Sequence, residues 1–200
     1  MDIFCEFSLA RVELGGSLCY NVCKYTILME RENLMLELLA PAGSMEALHA
    51  AVQNGANAIY LGCGTFNARQ SAKNFTPQTL TEAVKYCHIR GVQGHLTLNT
   101  LVSDKEMAEL TELIRHAADC GVDAFIVQDL GVLRLCRQMA PHIPIHGSTQ
   151  LTVHSLPGVL MCAAWGMTRV VLSRELSREE IRYICDNSPI EIEIFAHGAL

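Results

Sequence analysis

The sequence predicts an α/β protein of the TIM-type barrel class, and three observations support this fold. From residue 34 onward, seven short strand patterns alternate strictly with six helix patterns. Such alternation predicts parallel strands joined by right-handed crossovers. Polar residues follow the carboxyl ends of several different strands, as in enzymes with this barrel. A closed barrel needs one parallel strand more than the sequence supplies, so we expect an incomplete barrel.

A doubly wound sheet is the competing architecture. Sheets of that kind usually carry a glycine-rich phosphate turn directly after the first strand. The corresponding turn here, residues 40–44, reads A-P-A-G-S and holds a single glycine. The dinucleotide-binding fingerprint is therefore absent, and the sequence favours the barrel.

Each element of the alternation has a local signal. The predicted strands are residues 35–39, 58–61, 92–98, 124–127, 143–146, 169–172 and 191–195. The predicted helices begin at Ser44 and Pro77 or span residues 105–119, 130–139, 155–165 and 178–185. Ser44 and Asp104 are candidate N-caps, because their side chains can accept hydrogen bonds from the first helical amides. Ser177 and Glu180 have the spacing of a capping box.

Residues 1–33 do not fit this pattern. They contain Gly15-Gly16 and three cysteines, and they show no clean hydrophobic period. Their start lacks the basic segment of a signal peptide. We therefore divide the chain into a leader, residues 1–33, which we expect to be peripheral or poorly ordered, and a truncated barrel domain, residues 34–200.

Composition excludes several classes of protein. The 200 residues suit one domain, and an apolar content of 50% argues against disorder. No apolar run approaches the ~20 residues needed to cross a bilayer, so we expect no membrane association. The formal net charge of −6 gives no general reason to bind nucleic acid.

The cysteines point to a reducing compartment. There are nine, which is an odd number, and no C-x-x-C pair occurs. Without a signal peptide, this pattern favours reduced and mostly buried thiols in a cytoplasmic protein. Cys19 and Cys23 have no partner pair nearby, so we assign no metal ligand within this chain.

The candidate site is the rim at which the barrel strands end. The candidate catalytic residues are His146, Asp129, His197 and Glu175. The candidate substrate-binding residues are Arg69, Asn99, Gln128, Ser148, Gln150 and Arg174. Imidazole and carboxylate groups suit acid–base chemistry or metal binding. Guanidinium groups can hold a carboxylate or phosphate through two hydrogen bonds, and amides can donate to substrate oxygens.

Structural roles compete with these assignments. His146 follows an apolar strand and is also compatible with a hydrogen-bonded position inside the barrel, and the same alternative applies to His197. Glu175 is equally compatible with a structural ion pair to the next helix. Glu37 is expected to face the barrel interior, where a carboxylate needs a partner, and Arg174 or Arg69 is the candidate. The H-E-x-x-H, G-x-S-x-G and Walker motifs of hydrolases and nucleotide-binding proteins are missing.

Eight strings stand in order along residues 34–200. They are E-L-L-A-P-A-G (37–43), G-A-N-A-I-Y-L-G (55–62), F-N-A-R (66–69), T-L-N-T (97–100), Q-D-L-G (128–131), H-G-S-T-Q (146–150), R-V-V-L-S-R-E-L (169–176) and E-I-F-A-H-G-A-L (193–200). Together they resemble the collagenase-like peptidase family U32.

The resemblance implies one of two activities. The family name records a peptidase, and other members resemble ribosomal-RNA and transfer-RNA hydroxylases associated with an iron–sulfur cluster and with prephenate as oxygen source. In the family, H-G-A-L is followed by the first cluster cysteine, and none of the cysteines here matches a cluster position. We therefore expect the amino-terminal barrel of an iron–sulfur RNA hydroxylase, with the cluster and the RNA contacts supplied by a missing carboxyl-terminal part, and little activity from the fragment alone.

Two alternatives stay open. The first is a metal-assisted peptidase that acts on a peptide substrate, with His146, Asp129 and His197 as its candidates. The second is a non-catalytic accessory subunit that binds a partner through an open barrel edge. For the hydroxylase, Arg69 and Arg174 are the expected binding groups for a small dicarboxylate such as prephenate.

Overall fold

A computed structural model describes residues 24–30, 33–68 and 74–196. The strands are β1 Lys24–Glu30, β2 Asn33–Ala42, β3 Ala58–Gly62, β4 Gln93–Leu98, β5 Ala124–Val127, β6 Ile145–Gly147, β7 Arg169–Val171 and β8 Glu191–Phe195. The α-helices are α1 Met45–Gln53, α2 Pro77–His88, α3 Met107–Cys120, α4 Leu130–Met139, α5 Leu156–Ala164 and α6 Arg178–Asn187. A short 3₁₀ helix, Thr149–Leu151, follows β6.

The strands form a closed ring in chain order. Strands β2 to β8 are all parallel to their neighbours. The prediction of seven parallel strands with six helices is therefore confirmed. The position of the missing parallel strand is filled by β1, which runs antiparallel to both β2 and β8. The sequence analysis did not predict this closing strand, which lies within the segment that we set apart as a leader. Residues 1–23 lie outside the described part of the chain.

Helix boundaries follow the predicted caps with one exception. Ser44 accepts a hydrogen bond from the amide of Ala47, and Ser177 with Glu180 forms the expected capping box. Asp104 was the wrong choice for α3, because that helix begins at Met107 after an N-cap at Glu106. The Glu106 carboxylate instead accepts hydrogen bonds from the amide and hydroxyl of Ser103, which lowers the pKa of Glu106. The chain between β4 and α3 is therefore fixed by local bonds.

Apolar side chains form two separate cores. The larger core fills the space between the strands and the helices, with fully buried Leu48, Leu80, Ile114 and Val132 from the first four helices. The smaller core consists of Leu39, Ala58, Tyr60 and Ile126. Side chains alternate across a strand, so this second set marks the barrel interior.

The described cysteines are free thiols at scattered positions. Cys63, Cys87, Cys136 and Cys162 are buried, and Cys120 and Cys185 are partly exposed. Burial raises the pKa of Cys136 to about 12 and is also the main cause that raises the pKa of Cys87 to about 11. Among the residues that the structure describes, no helix has the length and apolar character needed to cross a bilayer.

Candidate functional site

The barrel interior is unusually polar. Residues paired directly across parallel strands share a face of the sheet, and His95 pairs with the interior residue Tyr60. By the same pairing, Thr97 and His146 flank the interior residue Ile126. TIM-type barrels usually fill this space with branched apolar side chains. Here the buried polar residues include His95, Thr97, His146, Ser148, Arg169, Ser173 and Glu193.

Arg169 is the centre of a buried ion cluster in this interior. Its Nη1 and Nη2 donate to the two carboxylate oxygens of Glu37, at 2.8 and 3.2 Å. Its Nε donates to Oε2 of Glu191 at 2.6 Å, and Oε2 of Glu193 lies 3.8 Å from Nη1. The side chains of Arg169 and Glu193 are 4% and 0% exposed. One guanidinium therefore binds carboxylates from β2 and β8 with little solvent screening.

These carboxylates keep Arg169 charged despite its burial. Loss of solvent by itself would lower the pKa of the guanidinium. The hydrogen bonds and charges of Glu37 and Glu191 outweigh this effect, so the pKa of Arg169 is raised above its ordinary value. Glu37 thus has the interior partner that the sequence analysis required, but the partner is Arg169, and the expectation of Arg174 or Arg69 is wrong.

Two imidazoles meet in the barrel beside this cluster. The rings of His95 and His146 pack edge to face, with centroids 5.0 Å apart. His95 is 1% exposed and His146 is 4% exposed. Nε2 of His95 also lies 3.1 Å from Oε1 of Gln93. His146 therefore lies below the rim, inside the barrel, and it is next to Arg169 in the register of β6 and β7.

The rim carries the remaining predicted residues at separate positions. Asp129 caps α4, because its Oδ1 accepts hydrogen bonds from the amides of Gly131 and Val132 at 2.7 and 3.1 Å. The Asn99 side-chain oxygen accepts a bond from the amide of Ala68 at 3.0 Å, which fixes the loop after β3. Both side chains therefore have positioning roles in the described structure. Gln128 is half-buried beside Asp129.

The segments that follow β6 and β7 carry both buried and exposed candidate residues. Ser148 is 2% exposed and accepts a bond from the amide of Gln150, whose own side chain points to solvent. Arg174 and Glu175 are exposed in the turn after β7. The Arg174 guanidinium lies 4.5 Å from the centroid of the Phe195 ring at the end of β8, a cation–π contact. Arg69 and His197 lie outside the described residues.

Sequence reasoning missed Arg169, His95 and Glu193. The signal for Arg169 was its position in a short strand. Arg169 stands two residues before Val171, so the two side chains lie on the same face of the sheet. For Glu193 the signal was the alternation E-I-E-I-F in β8. His95 gave no distinguishing signal, since a histidine in a buried strand is commonly structural.

The donor atoms of the described part do not suit a metal centre or an iron–sulfur cluster. Within the described ranges, no three His, Cys, Asp or Glu side chains come together in a way that could hold a metal ion. The described thiols lie on separate elements of the fold: one follows β3, and each of the helices α2 to α6 carries one other. An iron–sulfur cluster needs thiolates around one point. Burial also raises the pKa of Cys63 to about 11, which opposes the thiolate form.

Comparison with known proteins decides the family. The model of peptidase family U32 matches residues 43–200. This chain belongs to peptidase family U32. The chain is 37% identical to tRNA hydroxylation protein P1 of Bacillus subtilis and 38% identical to the 23S rRNA 5-hydroxycytidine C2501 synthase of Escherichia coli. Each match covers 82% of the chain, but only 39% and 25% of the two relatives.

Other relatives of this U32 chain carry protease names. It is 32% identical to a collagenase of Porphyromonas gingivalis, with 82% of the chain and 42% of the relative covered. A solved structure of the U32 peptidase Mk0906 matches with a TM-score of 0.61 over 76% of the chain and 65% of that structure. Its sequence identity is 16%, so this similarity concerns the fold. The U32 chain spans less than half the length of the curated relatives described here.

Proposed function

We propose that this U32 chain is the amino-terminal barrel of an RNA hydroxylase that depends on an iron–sulfur cluster and uses prephenate as its oxygen source. The observation that carries the proposal is the identity of 37–38% to two RNA-hydroxylation proteins over 82% of the chain. The polar barrel interior, which places His146 and Arg169 where apolar residues usually pack, supports a site at this barrel.

The described residues suit the binding of a small dicarboxylate at the rim. Arg174 is exposed, and its cation–π contact with Phe195 restricts the orientation of the guanidinium. A planar guanidinium in a fixed orientation can donate two parallel hydrogen bonds to one carboxylate. Arg69 is the proposed second binding group. Deeper in the barrel, Arg169 is already occupied by Glu37 and Glu191, so its proposed role is to support the site.

The cluster and the RNA contacts belong, in this proposal, to parts of a longer protein. The cluster would supply the redox chemistry, and its ligands would lie outside the described residues, which offer no converging donors. The net charge of −6 gives this chain no general attraction to phosphates. A basic region elsewhere in the longer protein would therefore hold the RNA.

A metal-assisted peptidase is the second candidate, favoured by the similarity to the Porphyromonas gingivalis collagenase. Its proposed residues are His146, Asp129 and His197. The geometry gives it less support, because His146 is 4% exposed inside the barrel and Asp129 is bonded to the first amides of α4. His146 would therefore need a rearrangement to reach a peptide bond at the rim, and Asp129 would have to act while it caps α4.

The two functions differ in the composition and activity of the full-length gene product. Purified without oxygen, a hydroxylase should contain iron and sulfide and should bind prephenate. Arg174→Ala should weaken that binding about tenfold or more through loss of charge-assisted hydrogen bonds. Arg182→Ala, which removes an exposed arginine of α6, is the matched control and should leave binding unchanged. An iron-free product that cleaves gelatin would overturn the hydroxylase, and unchanged binding in Arg174→Ala would remove the role given to that residue.

A further inference from the structure

The ring of strands contains one position that differs from all others. Strands β2 to β8 are parallel and follow one another through helical crossovers. Between β8 and β2 the ring is completed by β1 alone, which pairs antiparallel on both sides. We call the space between β2 and β8 the closing slot. Its two walls are the edges of β2 and β8 that face each other. The opposite edge of β2 pairs with β3, and the opposite edge of β8 pairs with β7.

The ion cluster ties the two walls of the closing slot together. Arg169 projects from β7 and binds Glu37 on β2, on the far side of the slot. The same guanidinium binds Glu191 and approaches Glu193, which both stand on β8. These contacts use side chains inside the barrel and do not involve β1. They hold β2 and β8 at a separation of two strand spacings, about 9.6 Å, which leaves room for one strand.

The register of β1 matches the position of this cluster. The backbone of Thr26 pairs with Glu37 on one side and with Glu193 on the other. The pairing with β2 extends from Lys24 to Glu30, whereas the pairing with β8 stops at Ile27. The β1 strand is therefore held by backbone bonds to both walls over residues 24–27, and by β2 alone beyond them.

We propose that the closing slot is a strand-acceptor site, kept open by the Arg169 cluster, and that residues 24–30 occupy it as an exchangeable segment. The ligand is an extended peptide of this sequence, bound mainly through backbone hydrogen bonds to both walls. In the described structure the segment comes from the same chain. A second copy of the chain can supply it, because only residues 31–32 connect β1 to β2, and short connections favour exchange between copies.

The first test uses the full chain and a synthetic peptide with the sequence of residues 24–30. Thr26→Pro removes a backbone donor from a strand that is paired on both sides, and Thr26→Ala is the control. Amide hydrogen exchange should become at least about tenfold faster in β8 of the proline variant, while β5 keeps its protection. Addition of the peptide should restore protection of β8, and a scrambled peptide should not.

Two results of this test would overturn the proposal. One is equal exchange of the β8 amides in Thr26→Pro and in the unchanged chain. The other is loss of amide protection in both β5 and β8 of Thr26→Pro that the peptide does not restore. The barrel would then unfold without β1, and no empty slot would be present to accept a strand.

A second test addresses the ion cluster. In the Thr26→Pro background, Arg169→Met should weaken binding of the labelled peptide at least about tenfold, and Arg182→Met on the exposed face of α6 should not. If Arg169→Met does not fold, Glu191→Ala removes a single cluster contact and should still weaken binding. Equal peptide affinity in the folded cluster variant and in the control would contradict a slot held by Arg169.

Discussion

Arg169→Met is expected to be among the most destabilising single substitutions in the chain. It removes the cation, so that Glu37, 12% exposed, loses its two hydrogen bonds, and Glu193, 0% exposed, loses the nearby positive charge. Loss of one partner from a buried ion pair typically costs about 3–5 kcal/mol, because the remaining charge stays poorly solvated. That is a large part of the ~5–15 kcal/mol by which a domain is usually stable.

Urea unfolding followed by circular dichroism measures this cost. Arg115→Met provides the control, because Arg115 pairs with Glu112 on the surface of α3, where the two side chains are 53% and 72% exposed. Exposed pairs contribute about 0–1 kcal/mol, so the control should unfold close to the unchanged chain. The double variant Arg169→Met with Glu37→Met should recover part of the loss, since it removes a buried charge together with its partner.

A loss of stability in Arg169→Met no larger than that in Arg115→Met would contradict a stabilising role of the buried cluster. A double variant that is no more stable than the sum of the two single effects predicts would also contradict it, because Arg169 and Glu37 would then not stabilise the fold through their pairing.

Three further changes test the account of the site and the core. Asp129→Ala should cost about 1 kcal/mol in urea unfolding by removing the cap of α4, whereas Asp129→Asn should keep most of the stability; equal losses would contradict a capping role. Gly62→Ala would place a Cβ 2.6 Å from Cγ of Asn67, and this clash should lower the free energy of unfolding by ~1–3 kcal/mol. Gly94→Ala is the control, because its nearest contact would be at 3.6 Å. Equal unfolding midpoints of the two variants would contradict the clash at Gly62. Burial raises the pKa of Cys136 to about 12, so its thiol stays protonated in the fold while the unfolded chain loses that proton above about pH 9. The free energy of unfolding should therefore fall as pH rises above about 9, and it should fall less steeply in Cys136→Ala. Identical slopes in the variant and the unchanged chain would contradict this contribution from Cys136.

Local signals were sufficient for most of the fold. Ser44, Pro77 and the Ser177–Glu180 pair begin helices where the sequence predicts them, because caps depend on residues within one turn. The strand β8 has the predicted bounds, since its alternation is visible within five residues. These features depend on neighbours along the chain and can be read without knowing the tertiary structure.

Features that depend on distant residues were not predictable in the same way. The strand β1 lacks a clean alternation and exists through pairing with β2 and β8, of which β8 is far away in sequence. The partner of Glu37 is separated from it by 132 positions, and the register of seven strands decides which arginine reaches it. The polar rim was predicted as a class, but capping by Asp129 and the burial of His146 follow from packing.

Nucleoside mass spectrometry of cellular RNA tests the central claim most directly. The full-length gene, either unchanged or carrying Arg174→Ala, is expressed in a host that lacks its own U32 RNA-hydroxylation proteins. We predict a pyrimidine nucleoside heavier by one oxygen atom in RNA from cells with the unchanged gene, and a much smaller amount with Arg174→Ala. RNA without any such nucleoside, from cells in which the protein accumulates in folded form with its iron, would contradict the account.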